Sequence, residues 1–159
     1  MNVDLTDALV IAIPATALAL LVLEVGQAAG ATRLDLALIL GTVGTRDPDR
    51  SRVVGLTLHG VIGVAFTICY ALLFAVLDMS GVAVGMTIGL LHGLFVVAIV
   101  GPLLPAVSNR IASPRSGPWE HTLLEPPGWF AMNYGLLTPV VVVAAHVAFG
   151  AVCGAAIDH

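Results

Sequence analysis

The chain has 159 residues, 58% hydrophobic and 10% charged, with a mean hydropathy of +1.03 and a formal net charge of −4. A soluble domain carries about 25% charged residues, so composition excludes an ordinary water-soluble domain, and the acidic excess of loops and termini carries no signal for nucleic acid. Spanning the hydrocarbon core takes roughly 20 apolar residues, and four stretches suffice, at about residues 8–29, 53–77, 82–104 and 136–157. The expected fold is all-α: one polytopic membrane domain over residues 1–159, a four-helix bundle with interfacial segments in its two long loops.

The first stretch, Ala8 to Ala29, ends in small residues like a signal-peptide cleavage site. The segment before it holds Asp4 and Asp7 and no basic residue, and the apolar run exceeds the ~7–15 residues of a signal peptide. It therefore reads as a retained helix. It carries one acid, Glu24, and ends in Gly26-x3-Gly30, a small-residue stripe that offers a surface to a second copy. The following Leu34 to Gly41 run is apolar but too short to span, which predicts an interfacial or re-entrant segment.

The second stretch contains Gly55-x3-His59-x3-Gly63, and after a tight turn at Asp78 to Gly81 the third contains Gly85-x3-Gly89-x2-His92-Gly93. The next loop has a proline-rich, polar centre from Ser108 to Pro118, then Trp119, Trp129, Phe130 and Tyr134. Aromatic residues gather at headgroup level, so this segment is expected to return to the membrane surface before Pro139 opens the fourth helix. That helix carries His146-x3-Gly150-x3-Gly154. Cys69 and Cys153 lie within spans, where a free Cys acts as a small hydrophobe. The recurrence of helix, long loop and His-x3-Gly helix is compatible with a duplicated hairpin.

All six basic residues, Arg33, Arg46, Arg50, Arg52, Arg110 and Arg115, fall in the two long loops. Basic residues bias short loops to the cytoplasm, which predicts a multi-pass protein of the cell membrane with both termini outside.

Residues three or four apart share a helix face, and small residues there let backbones approach. His59, His92 and His146 are therefore expected to point into the bundle, with Gly55, Gly63, Gly85, Gly89, Gly93, Gly150 and Gly154 as packing positions. At ~1.5 Å per residue, Glu24 lies roughly 8 Å from the cytoplasmic helix ends, His59 roughly 9–12 Å, and His92 and His146 roughly 15–18 Å. An intramembrane ionisable group is by default a functional candidate. The four form a candidate polar path or ligand set; the structural alternative is that the histidines only hydrogen-bond between helices, at about 0.6 kcal/mol each.

The short Leu-rich segment after the first helix, His59-x3-Gly63 with Tyr70-Ala71, Gly85 and Gly89, and Gly128-x-Phe130 before His146-x3-Gly150-x3-Gly154 resemble a family of small four-helix prokaryotic membrane proteins of unknown function. The resemblance covers nearly the whole chain. It implies the architecture and singles out His59 and His146; near His92 it leads one to expect an aromatic. It implies no activity.

No catalytic residue is expected. The chain lacks Gly-x-Ser-x-Gly, a P-loop, a dinucleotide fingerprint and His-Glu-x-x-His, and the Glu120–His121 pair reads as a solvated loop feature. With one intramembrane Glu, a di-iron carboxylate site is excluded. Three readings remain: a small carrier or channel component with a His/Glu polar path and no cofactor; a subunit binding haem b or a single metal ion through His92 and His146; and a non-catalytic helper packed against another membrane protein. Expected partners are the lipid bilayer and either a second copy of the chain or another membrane protein.

Overall fold

The computed structural model describes residues 5–45, 47–108, 110–113 and 123–157. Arg46, Arg115, Trp119, Glu120 and His121, to which the sequence gives charge, anchoring or acid–base roles, lie outside the described residues. The elements are α1 (Leu5–Ala28), α2 (Leu36–Gly41), α3 (Pro48–Leu77), α4 (Val82–Phe95), a π turn (Val96–Val100), α5 (Gly101–Val107), a 3-10 segment (Trp129–Tyr134) and α6 (Thr138–Ala156). Four stretches, Thr6–Ala28, Asp49–Leu77, Val82–Val107 and Thr138–Ala156, are long and apolar enough to cross a membrane. The protein is an all-α, multi-pass four-helix bundle.

Local chemistry moves two boundaries from those expected. α3 starts at Pro48 rather than near Val53 because Asp47 caps it, its carboxylate accepting from the backbone N–H groups of Asp49 and Arg50, and proline fits the first turn. The third span runs on to Val107 through the π turn, where the Gly101 N–H donates five residues back to Val96 O. Pro102 has no N–H to continue the α-pattern and crowds the preceding turn, and widening the turn accommodates it.

Burial is arranged as a membrane requires. Along α1 the buried face is Ala8, Ala12, Ala15, Thr16, Ala19 and Leu23, while Leu9, Val10, Ile13, Leu21 and Val25 are exposed. Lipid solvates large side chains as well as a core does, so small ones go to the interfaces. α1 packs on both α3 and α6, and α6 packs on α4. α3 and α4, although consecutive, scarcely touch along their backbones.

The α4–α6 contact is backbone on backbone. A Cβ added to Gly85 would collide with Gly150 O, one on Gly89 with His146 O, one on Gly150 with Gly85 O and one on Gly154 with Gly81 O. Gly55 serves another element: a Cβ there would strike Ala37 O of α2, just as one on Gly41 would strike Ser51 O of α3. The Leu34 to Gly41 run is thus a short helix, capped by Asp35 through Leu38 N–H at 2.8 Å and clamped across the start of α3. Gly26 faces Val141 of α6, while Gly30 turns the chain at φ 73° and has nothing within 4 Å of an added Cβ.

The described loops are tied together at one end of the bundle. Arg33 N–H donates to Tyr134 O at 2.7 Å, and the Arg33 guanidinium donates to Asn133 O at 2.6 Å and pairs with Glu125 at 3.3 Å. Thr32 and Thr138, both buried, share a hydrogen bond of 2.7 Å. Each of α3 and α6 follows a short helical segment, but Gly63 meets a side chain of α1 whereas Gly150 meets the backbone of α4, so their surroundings differ.

Candidate functional site: a lateral cavity with three histidines

Because α4 leans on α6 and α3 on α1, a cavity of about 380 Å³ opens between them. Thr16, Ala19 and Leu23 of α1 form its back, and His59, Gly63 and Phe66 of α3 one wall. His92 with the π turn, and Ala145, His146 and Phe149 of α6, form the other. Leu36, Ile39 and Leu40 of α2, with Pro127 and Ala131, cover the loop end. Toward the chain termini a layer of rings closes it. Phe66 stacks on His92 with centroids 4.1 Å apart, and Tyr70, only 1% exposed, meets Phe149 edge to face at 5.4 Å. The open side runs between α3 and α4, past Ile62, Phe95 and Val100, which are exposed where lipid would lie.

The three histidines share this cavity. His146 Nδ1 lies 2.7 Å from Val142 O; a carbonyl only accepts, so Nδ1 carries the proton, and in a neutral ring Nε2 keeps its lone pair. His92 Nδ1 stands 3.4 Å from the Tyr70 hydroxyl, and the His92 and His146 rings touch edge to face with centroids 4.6 Å apart. His59 Nε2 is buried without a hydrogen-bond partner, and so is Thr16 Oγ1. Glu24 stands on an exposed face of α1 and does not line the cavity.

The packing glycines fall into separate groups: Gly55 seats α2, Gly63 admits the Thr16 side chain, and Gly85, Gly89, Gly93, Gly150 and Gly154 hold α4 to α6. Thr16 and the ring layer of Phe66, Tyr70 and Phe149 are the parts that attention to glycine and charge missed. A signal existed in the small residues Ala8, Ala12, Ala15 and Ala19 beside Thr16, which mark the inner face of α1.

Haem held between His92 and His146 does not fit this arrangement. An iron with two axial imidazoles stands between them, whereas these rings are in contact, and α4 and α6 cannot part without breaking the glycine interface. Among the described residues no group of three or more His, Cys, Asp or Glu side chains is placed to hold a metal ion. Comparison with protein-family models, with curated proteins and with solved structures finds no match for this chain.

Proposed function

We propose that this protein is a small carrier component of the cell membrane that takes a lipid-soluble molecule sideways from the bilayer and holds it in the cavity between α3 and α4. The observation that carries this reading is the position of the opening: it lies along the apolar, membrane-spanning part of the bundle, while the loop end is covered. Ligand pockets commonly measure about 300–1,000 Å³ with mostly apolar walls, and a cavity of about 380 Å³ lined almost wholly by apolar atoms suits a lipid-soluble occupant. Glu24 has no part in this reading. The arginine-bearing end, with Arg33, Arg50, Arg52 and Arg110, would face the cytoplasm by the charge bias of short loops, leaving both termini outside.

Saturable binding of radiolabelled naphthalene to the protein in nanodiscs, above partition into empty nanodiscs, tests the proposal. Ile62→Trp, which narrows the mouth, is expected to lower it, and Val76→Trp, at a position 82% exposed and away from the cavity, to leave it unchanged. Partition equal to that of empty nanodiscs would overturn the reading.

A further inference from the structure

The walls of the cavity and the depth of its mouth together define what enters and how. The surface it presents is almost wholly apolar, and none of the described residues lining it is Asp, Glu, Lys or Arg. Its polar residues show the space their carbon atoms: Thr16 Oγ1 is turned onto Gly63, His59 Nε2 is buried, and His146 Nδ1 is bonded to Val142 O. Water finds no partners on such walls, and a dry void forgoes the dispersion contacts of its lining. Hydrocarbon supplies them.

Length narrows the choice. Along the third span the lining runs from Leu104 to His92, roughly 18 Å at ~1.5 Å per residue. One leaflet of the hydrocarbon core measures about 15 Å, half of the whole. The cavity therefore runs beside the tails of the loop-end leaflet, from the cover formed by α2 to the ring layer at mid-membrane. Counted from Val107, the exposed mouth residues Val100 and Phe95 lie roughly 10 and 18 Å deep, below the level of head groups. At the loop end Arg33 pairs with Glu125 at 3.3 Å, Arg50 with Asp47 at 3.6 Å and Arg52 with Asp35 at 3.0 Å, and arginines so matched by acids leave a head group little charge to be selected by.

We infer that the occupant is the hydrocarbon tail of a membrane lipid of the loop-end leaflet, which enters end first through the mouth between α3 and α4 while its head group stays outside. The site reads the tail and is indifferent to the head. A head group carried inside would pass through hydrocarbon at mid-membrane depth and meet walls without partners for it. A compact hydrocarbon would fill only part of the length. This inference rests on the cavity being a binding site.

Photolabelling in nanodiscs tests it with three lipid probes: phosphatidylcholine with a diazirine at the end of one tail, phosphatidylcholine with the diazirine beside the ester carbonyl, and phosphatidylglycerol with the diazirine at the tail end. Both tail-end probes are expected to label Phe66 and Ala145 inside the cavity to the same saturating extent, while label on the lipid-facing Leu91 rises in proportion to probe. The carbonyl probe is expected to leave the cavity unlabelled. Ile62→Trp is expected to lower the cavity label and to leave that on Leu91 unchanged. Equal cavity label from the carbonyl probe would overturn end-first entry, and unequal label from the two tail-end probes would overturn indifference to the head. Cavity label that is absent or fails to saturate, in a protein that still binds naphthalene saturably, would overturn the tail assignment and leave the cavity as a site for compact apolar molecules. Absence of both would overturn both readings. The wild-type comparison decides the matter even if Ile62→Trp fails to fold.

Discussion

The imidazoles of His92 and His146 meet edge to face, with ring planes 76° apart and centroids at 4.6 Å, and glycines fix that contact. A Cβ on Gly93 would stand 2.8 Å from Val143 Cα and 3.2 Å from His146 Cβ, and one on Gly89 would run into His146 O. Two residues without side chains flank His146, so α6 comes near enough for the rings to touch. The same closeness draws α4 away from α3 and leaves the lateral cavity. Helix packing and the candidate site therefore have one cause.

Glycine positions that look alike in the sequence should respond differently to one methyl group. Gly89→Ala is expected to destabilise the protein by about 1–3 kcal/mol, the usual cost of overpacking, because the atom it meets is backbone and cannot rotate aside. Gly60, in α3, has nothing within 4 Å of an added Cβ, and Gly60→Ala should be neutral or stabilising by up to about 1 kcal/mol, the helix-propensity gain. Unfolding in detergent micelles measures both. Equal losses in the two variants would contradict the α4–α6 contact.

Haem offers a direct probe of the same interface. Added to the purified protein, haemin is expected to give no low-spin, bis-imidazole spectrum that depends on both His92 and His146, since their rings already occupy the space an iron would need. Such a spectrum, lost in His92→Ala and again in His146→Ala, would mean that α4 and α6 separate in solution.

Much of the fold could be read from the residues, because spanning length and apolarity are properties of single stretches. The Asp78 to Gly81 turn follows from the two apolar runs it joins. The site was less legible because a glycine stripe announces a close neighbour without naming it. The face carrying Gly55, His59 and Gly63 meets three surroundings in succession, namely α2, the cavity and Thr16 of α1. Depth alone puts Glu24 level with His59, but rotation about the α1 axis sets it on an exposed face; in a helix apolar all round hydropathy does not mark that rotation, and only the small residues Ala8, Ala12, Ala15 and Ala19 do. The left-handed backbone of Phe130 (φ 53°) and Ala131 (φ 56°), which lets the 3-10 segment cover the cavity, has no local sequence signal either.

Tyr134 makes the closure of the described loops sensitive to alkali. Its hydroxyl donates to Glu125 O, and burial first, then the negative charge of Glu125, push its pKa up to about 12 against the partial opposition of Arg33. The folded value lies above the unfolded one, near 10, so the phenol's contribution is complete below about pH 10 and is lost as pH rises toward about 12. In a Tyr70→Phe background, which leaves Tyr134 as the remaining tyrosine, tyrosinate absorbance should rise only near pH 12 in the folded protein. Titration near pH 10 before unfolding would show that the Tyr134 hydrogen bond is absent. Tyr134→Phe should flatten the alkaline fall in stability over that window.

One hydrogen bond in the cover over the loop end of the cavity joins α2 to α5, and its direction follows from counting hydrogens. Thr42 Oγ1 donates its single proton to Ile39 O at 2.7 Å, so the 2.9 Å contact with Ser108 Oγ must be a donation from Ser108. Ser108 Oγ in turn accepts from Arg110 N–H at 3.3 Å. This links the end of α2 to the end of α5, and both hydroxyl-bearing residues are buried. Thr42→Val keeps the shape but leaves the buried Ser108 O–H without an acceptor, at about 1–3 kcal/mol, whereas removing both partners together is expected to cost less than the sum of the single changes. A double cycle of Thr42→Val and Ser108→Ala, read by unfolding in detergent and by amide exchange along Leu36–Gly41, should give a coupling of about 1 kcal/mol and faster exchange in each single variant. Additive losses with unchanged exchange would mean that α2 is held by its glycine contacts with α3 alone.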